Sequence, residues 1–342
     1  MTRNPAAGIV LSTLACFAAH AQSPVATGSY LGQTPPGMEA RLFAPGVVNL
    51  GLYTRDLAVS PDGSEIYFSV VIGGNKLTAI AGTRLVGGRW TPPEIVPQLG
   101  IPGTSSIEPC ISPDGKRFYF SSNRPAPGKQ PNPHDYDIYY MERAGGGWGK
   151  PVNAGEPVNT EKGEYFPSVT RDGTLYFTGP GPSGGDEQIW RAPLRDGRFG
   201  TPEKLPEQVN AGQARFNAFV APDESYLIVP IYGMPDSRGA TDYYVTFRNA
   251  DATWTAPRNL GDEVNTSDAN EYSASVSPDG KYLFFMSGRM PPVADMPSPL
   301  TLAYLRRLHD TVPNGDPAVY WIDAQVVTRL KPAPPAPPPE PR

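Results

Sequence analysis

Ser112-Pro113-Asp114-Gly115, followed by Phe118-Tyr119-Phe120, is the stretch that decides the fold, because it recurs along the chain. Variants of the phrase begin at Ser60, Thr170, Ala221 and Ser277, so neighbouring copies lie 51 to 58 residues apart. Proline presets the first corner of a turn, aspartate can hydrogen-bond to the backbone ahead of it, and glycine accepts a positive φ angle. With an alternating segment before it and an aromatic segment after it, each copy predicts a β-hairpin.

Each hairpin is followed by further strand signals. A third strand is predicted at residues 77–83, 137–140, 188–192, 242–247 and 319–324. A fourth is marked in four copies by an aromatic residue three positions before a proline, as in Trp148 and Pro151. Proline suits an outer strand, where its missing N–H costs nothing. Four-stranded units of about 50 residues in tandem are typical of a β-propeller.

The strand count predicts how the ring closes. There are five first, second and third strands but only four complete fourth strands. Residues 38–49 repeat the register of residues 148–159, since each segment ends in an asparagine 11 positions after its start. We therefore predict an all-β fold, a single propeller over residues 38–330. It has five blades, or six if an irregular segment hides another, and the N-terminal strand closes the last blade and removes an open sheet edge.

Both ends of the chain read differently from the repeats. Residues 1–21 have the basic, apolar and small-residue regions of a secretory signal peptide, which predicts a periplasmic or secreted protein. The alternative is a lipid anchor on Cys16. Residues 22–37 are predicted as a flexible segment and residues 331–342 as a Pro-rich disordered tail. Cleavage after residue 21 removes Cys16 and leaves Cys110 as the single cysteine, so no internal disulfide is expected.

Composition narrows the function further. The chain has 36 Gly and 42 Pro among 342 residues, with 10% aromatic residues, which fits many short strands rather than long helices. A net charge of −5 without a basic cluster argues against nucleic acid as a partner. No second apolar run reaches the roughly 20 residues that span a bilayer, so no membrane insertion is expected after signal cleavage. No cofactor or metal motif is found, and a monomer is expected.

The repeats resemble the TolB-type, WD40-like propeller repeats of exported bacterial proteins. The resemblance covers about residues 39–330 and rests on the Ser-Pro-Asp-Gly turns and on three further segments: residues 122–125 (SNRP), 147–153 (GWGKPVN) and 319–324 (VYWIDA). It implies an exported binding scaffold that recognises an envelope protein or a glycan. TolB itself carries a separate α/β domain ahead of its propeller, whereas only residues 22–37 separate the predicted signal from the first strand here.

The inner strands offer acids that face the predicted central channel. Asp56, Glu108, Glu164 and Glu271 precede the hairpin turns, and Asn217 takes the corresponding place in the fourth repeat. Carboxylates at a propeller channel can hydrolyse glycosides when one is a proton donor and another a base or nucleophile. A glycoside hydrolase is therefore the alternative function. Asp56 and Glu108 lie four residues before the turn, whereas Glu164 and Glu271 lie six before it, which counts against one shared catalytic position.

The loops between second and third strands supply the candidate ligand-binding residues Arg124, Asp137, Asp242 and Arg289. Planar guanidinium groups suit hydroxyl or carboxylate ligands, but an Arg to Asp pair that fixes the loop base is the competing interpretation. The long loop at residues 287–318 belongs to the same face and is typical of a functional segment. The aspartates of the repeated turns are predicted to be structural: Asp62, Asp114, Asp172, Asp223 and Asp279. The leading prediction is thus a non-catalytic binding propeller.

Overall fold

The computed structural model describes residues 26–126, 128–130, 132–181, 186–267 and 271–333. The predicted signal peptide, Cys16 and residues 334–342 of the predicted tail lie outside the described residues.

Five small antiparallel sheets in the described chain form the blades of a β-propeller, which confirms the predicted fold and blade count. The hairpin motif supplies the first and second strands of each blade, and the third strand follows the loop as predicted. In chain order the strands are Tyr53–Val59, Glu65–Ile72, Leu77–Val86, Arg89–Trp90 and Glu94–Ile95 in blade 1; Ser106–Ile111, Arg117–Ser122, Asp137–Ala144, Gly147–Trp148 and Val152–Asn153 in blade 2; Tyr165–Val169, Leu175–Pro180, Glu187–Ala192 and Glu203–Lys204 in blade 3, with the hairpin Leu194–Arg195 and Arg198–Phe199; Ala214–Arg215, Phe219–Val220, Tyr226–Tyr232, Thr241–Phe247 and Arg258–Asn259 in blade 4; and Tyr272–Val276, Tyr282–Ser287 and Ala318–Asp323 in blade 5.

The strand Arg41–Leu42 completes blade 5 from the other end of the chain. It pairs antiparallel with the third strand, with Arg41 opposite Trp321 and Leu42 opposite Tyr320. Phe43 is fully buried and packs edge-on against Trp321, with 5.2 Å between the ring centroids. The predicted N-terminal closure is therefore confirmed.

Buried asparagines extend the short outer strands. Asn265 accepts from the backbone N–H of Tyr243 at 2.8 Å and donates to the carbonyl of the same residue at 3.0 Å. The same two-bond clamp holds Ile138 through Asn159, Ile189 through Asn210 and Val319 through Asn49. These are the asparagines whose spacing predicted the closing strand. Each pairs the backbone N–H of a third-strand residue and adds a second donor to its carbonyl, which also accepts from a backbone N–H beside the outer strand.

The segment before the closing strand packs across the lower face, where the repeated turns lie. The indole N–H of Trp90, in blade 1, donates to the carbonyl of Gly28 at 2.8 Å. Tyr30 packs edge-on against Tyr282 of blade 5 at 5.1 Å and donates a hydrogen bond to Asp279. Residues 26–33, within the segment predicted to be flexible, thus join blades 1 and 5.

The fourth repeat has Glu224 where the other turns have glycine. Glu224 adopts the left-handed conformation with φ 55°, close to the 70° of Gly63 in the first turn. Its carboxylate pairs with Arg248 and accepts from the Tyr176 hydroxyl at 2.7 Å. Side-chain contacts therefore accompany a backbone conformation that costs a non-glycine residue about 1 kcal/mol.

The loop at residues 287–318 leaves blade 5 on the upper face, where the channel opens among the loops between second and third strands. It contains a short 3-10 helix, Val293–Asp295, and an α-helix, α1, at Leu302–His309. A one-turn helix, α2 (Gln325–Thr328), follows the last strand. Within the described residues, no helix has the length and apolar character needed to cross a membrane.

Candidate functional site

Each inner strand bends at one residue where it lines the channel. These residues lie four positions before the turn, and all have positive φ angles of 52° to 67°: Asp56, Glu108, Phe166, Asn217 and Ser273. In four of the blades the pairing register is interrupted around this residue, which is the mark of a β-bulge. The bulge reverses the side-chain alternation, so the side chain at this position and the one two residues earlier do not share a direction.

An ion pair brings two of the four candidate acids together. The Arg55 guanidinium donates to Asp56 Oδ1 at 2.8 Å and to Glu108 Oε1 at 2.9 Å. All three side chains are buried, and Arg55 also lies over the Tyr272 ring at 4.8 Å. Asp56 and Glu108 therefore flank one cation within the channel.

Glu108 is held on both of its oxygens. Besides Arg55 on Oε1, its Oε2 accepts from the Ser121 hydroxyl at 2.8 Å and from the backbone N–H of Phe166 at 2.7 Å. Burial raises the pKa of Glu108, and the nearby Asp56 charge adds to the rise, while Arg55 opposes it. A carboxyl with this environment can store a proton, but its lone pairs are already engaged.

Above this ion pair the channel widens into a cavity of about 570 Å³, which we call the channel-mouth cavity. Arg55 and Glu108 contribute to its lining, together with Asn75, Thr78, Ile107, His134, Tyr136, Lys162, Gly163, Tyr165, Gly179, Pro180, Asp186 and Glu187. Below the ion pair only about 80 Å³ is open, beside Asp56 and Phe166. The wide half is of the size that small ligands occupy in proteins, about 300 to 1,000 Å³.

The cavity wall has aromatic and polar side chains that decide which ligands it can bind. Tyr136 and Tyr165 give it aromatic surface, and the Tyr165 hydroxyl donates to Glu187. The Thr78 hydroxyl is buried and has no hydrogen-bond partner within the described chain. This hydroxyl lies behind the wall and is closed to a ligand, whereas Asp186 and Glu187 are exposed and bring carboxylates to the cavity lining.

The other two candidate acids lie apart from this pair. Glu164 accepts from the hydroxyl and backbone N–H of Thr160 at 2.6 and 2.9 Å, and burial raises its pKa to about 7. Glu271 accepts from Thr266 and Ser287, and burial raises its pKa to about 8. Each braces the loop that enters its own blade. The structure joins Asp56 and Glu108 through Arg55, although they belong to different blades, and leaves Glu164 and Glu271 outside this ion pair.

The arginine candidates of the loop face connect neighbouring blades. Arg124 donates to the carbonyl of Gln98 at 3.4 Å, and its guanidinium lies 5.2 Å from the centre of the Phe120 ring. Arg289 repeats this arrangement in blade 5, since it donates to the carbonyl of Val264 at 2.6 Å and covers Phe285. Both guanidinium groups thus contact the segment that enters their blade from the preceding one.

The aspartate candidates pair with asparagines rather than with these arginines. Asp137 accepts from the Asn153 amide at 2.7 Å, and Asp242 accepts from Asn259 at 3.0 Å and from the backbone N–H of Arg238 at 2.7 Å. Both carboxylates join the start of a third strand to the outer strand beside it.

The five turn aspartates share one set of contacts. Asp114 accepts from the Ser112 hydroxyl at 2.7 Å and from the backbone N–H of Lys116 at 3.0 Å. The N–H two residues ahead also donates to the aspartate in the other four turns, at Asp62, Asp172, Asp223 and Asp279.

Sequence reasoning missed Arg55 and the aromatic wall of the cavity. A signal for Arg55 was present, since the pair Arg55-Asp56 interrupts an otherwise uncharged inner strand. Tyr136 and Tyr165 had no comparable signal, because the fold alone brings the two loops that carry them together. Nowhere in the described ranges do three or more His, Cys, Asp or Glu side chains form a group that could hold a metal ion.

Fold and site together define a five-bladed propeller with a ligand-sized cavity at one mouth of its channel. No family model and no curated protein matches the chain. Among solved structures it is similar to TolB from Acinetobacter baumannii, with 16% identity, 80% of this chain covered and a TM-score of 0.46. This match spans 57% of the TolB chain, a little over half its length.

Two glycoside-acting enzymes are matched over a comparable share of the chain. An arabinanase of Bacillus subtilis is 14% identical, with 79% of this chain and 93% of that chain covered and a TM-score of 0.48. The catalytic domain of an α-L-arabinofuranosidase from Coprinopsis cinerea is 8% identical, with 84% and 97% covered and a TM-score of 0.47. Identities and TM-scores this low carry no conclusion about activity.

Proposed function

We propose that the protein is an exported, non-catalytic binding propeller that holds a glycan in the channel-mouth cavity. The observation that carries the proposal is the cavity itself, about 570 Å³ above the ion pair of Arg55 with Glu108. The predicted signal peptide supports an exported protein. If this face recognises a protein instead of a glycan, no oligosaccharide binds in the experiment below.

The lining favours a polyhydroxylated ligand. Tyrosine rings offer flat apolar surface with a polar edge, which suits the faces of sugar rings. The exposed carboxylates of Asp186 and Glu187 can accept from sugar hydroxyls. Arg124, Asp137, Asp242 and Arg289 contribute to this proposal by holding the loops around the upper face in position.

Binding is tested with a panel of neutral and acidic oligosaccharides, measured by calorimetry against the purified protein. Asp186→Asn keeps the side-chain shape and removes an exposed carboxylate from the cavity wall, so it should weaken binding about tenfold without lowering the melting temperature. Asp251→Asn, at an exposed turn away from the cavity, is the matched control. The proposal is wrong if no oligosaccharide binds, or if Asp186→Asn binds as tightly as the unchanged protein.

Glycoside hydrolysis is the second candidate, because Asp56 and Glu108 lie together and the pKa of Glu108 is raised. Such a pair could in principle supply an acid and a base. The occupied oxygens of Glu108 favour binding over catalysis, since proton transfer would require Arg55 or Ser121 to move away first. Product analysis on the same panel decides between them. Turnover that disappears in Glu108→Gln, at an unchanged melting temperature, would replace the binding proposal with an enzyme.

A further inference from the structure

The loop of blade 5 exposes apolar side chains that nothing in the described chain covers. Val293 is 82% exposed, Leu300 55%, Leu302 66% and Leu305 45%. We call these four residues the apolar crest. They belong to a wider pattern, because eleven of the fifteen large apolar side chains exposed in the described chain lie on the upper face or at the strand ends that border it. Apolar surface gathered on one face marks an interaction site.

Helix α1 carries half of the apolar crest and buries none of its own residues. Thr301 caps its first turn by accepting from the backbone N–H of Tyr304 at 3.1 Å. A helix of only eight residues is marginal in water without packing against another surface. Leu302 and Leu305 lie one turn apart and are free to supply that packing.

Positive charge accompanies the apolar crest. Arg306 and Arg307 are exposed in the last turn of α1, and the helix itself contains no acidic residue, while Asp295 and Asp310 lie on either side of it in the chain. Exposed leucines beside arginines on one short helix are the combination that lies in the interface of an anionic membrane.

The base of the loop is anchored to the propeller. The backbone N–H of Thr54 donates to the carbonyl of Pro317 at 2.9 Å, and Gly51 approaches the carbonyl of Asp310 so closely that a Cβ there would lie 2.8 Å from it. Leu50 and Leu52, both exposed, flank this contact and extend the apolar surface onto blade 1. The apolar crest is thus presented from a fixed base.

We propose that the apolar crest, with Arg306 and Arg307, docks the protein onto an anionic lipid surface. The leucines enter the boundary between headgroups and acyl chains, and the guanidinium groups contact lipid phosphates. The upper face then turns toward the membrane. This is peripheral adsorption, and it requires no ligand in the channel-mouth cavity, which opens on the same face.

Vesicle co-sedimentation tests the proposal. The processed protein, its N-terminus first defined by mass spectrometry, is mixed with vesicles of phosphatidylglycerol and phosphatidylcholine, or of phosphatidylcholine alone. We expect partitioning to be at least tenfold stronger with the anionic vesicles. Partitioning onto the anionic vesicles should fall about tenfold in the double variant Leu302→Ser, Leu305→Ser. It should fall by a similar factor in the double variant Arg306→Ser, Arg307→Ser.

Val86→Ser is the matched control, because Val86 is 63% exposed at a turn on the lower face. Its partitioning should equal that of the unchanged protein. Equal partitioning with both vesicle types would overturn the proposal, and so would full binding by the leucine variant. All the altered side chains are exposed, so folding is preserved and is checked by the melting temperature. The oligosaccharide experiment has a separate readout and can fail or succeed independently.

Discussion

The bulge residue of each inner strand explains which acids meet in the channel. Asp56 and Glu108 occupy the bulge of their blades and share Arg55, whereas Phe166 and Ser273 occupy it in blades 3 and 5. The sequence spacing of four or six residues before the turn distinguished the two sets of acids. What it could not supply was the direction of each side chain, because a left-handed residue within a strand breaks the simple alternation on which such counting depends.

Glu271 is predicted to make the stability of the fold depend on pH. Burial raises its pKa to about 8 in the folded protein, against an ordinary value of 4.5, and its Oε2 has no hydrogen-bond partner within the described residues. Between these two values the folded state binds more protons than the unfolded state, so the free energy of unfolding falls as the pH rises. Glu271→Gln removes the charge and should stabilise the protein by about 3 kcal/mol more at pH 8 than at pH 5.

Urea denaturation at the two pH values measures this difference. Glu39→Gln, at a side chain that is 81% exposed, is the matched control and should change neither value. If Glu271→Gln is equally stable relative to the unchanged protein at both pH values, the buried carboxyl does not titrate as described.

The asparagine clamps are the elements that sequence spacing predicted best. The interval from the outer-strand aromatic residue to Asn159 and Asn265 was visible in the chain, and it led to Asn49 and the closing strand. The chemistry of the clamp was not visible, because it depends on the third strand's backbone groups lying within reach of the amide. The outer strands proved to be two residues long, so the amide oxygens accept from third-strand N–H groups that a longer strand would have paired.

Asn265→Ala should therefore destabilise the protein by about 1 to 2 kcal/mol, because it leaves the buried N–H of Tyr243 without a partner, whereas the Tyr243 carbonyl keeps the backbone N–H of Leu260 at 3.1 Å. Asn249→Ala is the control, since Asn249 is exposed and its side chain bonds to Thr253 at a turn. Chemical denaturation gives both values. A loss below about 0.5 kcal/mol for Asn265→Ala would show that water or backbone relaxation replaces the clamp.

At the scale of the whole molecule, closure of the ring joins the two ends of the described chain. The pattern of repeats predicted this because one fourth strand was missing, whereas the packing of residues 26–33 across blades 1 and 5 had no repeat to reveal it. Deleting residues 22–49 removes the closing strand, the buried Phe43 and the Asn49 clamp together. It leaves the edge of Ala318–Asp323 unpaired.

We expect the shortened protein to self-associate through that edge and to melt well below the full chain. Size-exclusion chromatography with light scattering and thermal melting measure both effects. Phe43→Ala keeps the strand and should cost about 3 to 5 kcal/mol, while Met38→Ala, at a partly exposed residue nearby, should cost less than 1. A shortened protein that stays monomeric and melts within a few degrees of the full chain would refute the closure argument.

The join between Asn49 and Val319 also orders the events of folding. The two residues are 270 positions apart, whereas the strands of blades 1 to 4 each come from one continuous stretch of the chain. Contacts over so long a separation form late, because a large loop must close before they are made. A chain that emerges N-terminus first can therefore assemble four blades while its leading strand still waits for a partner. The ring becomes complete only when the final third strand arrives.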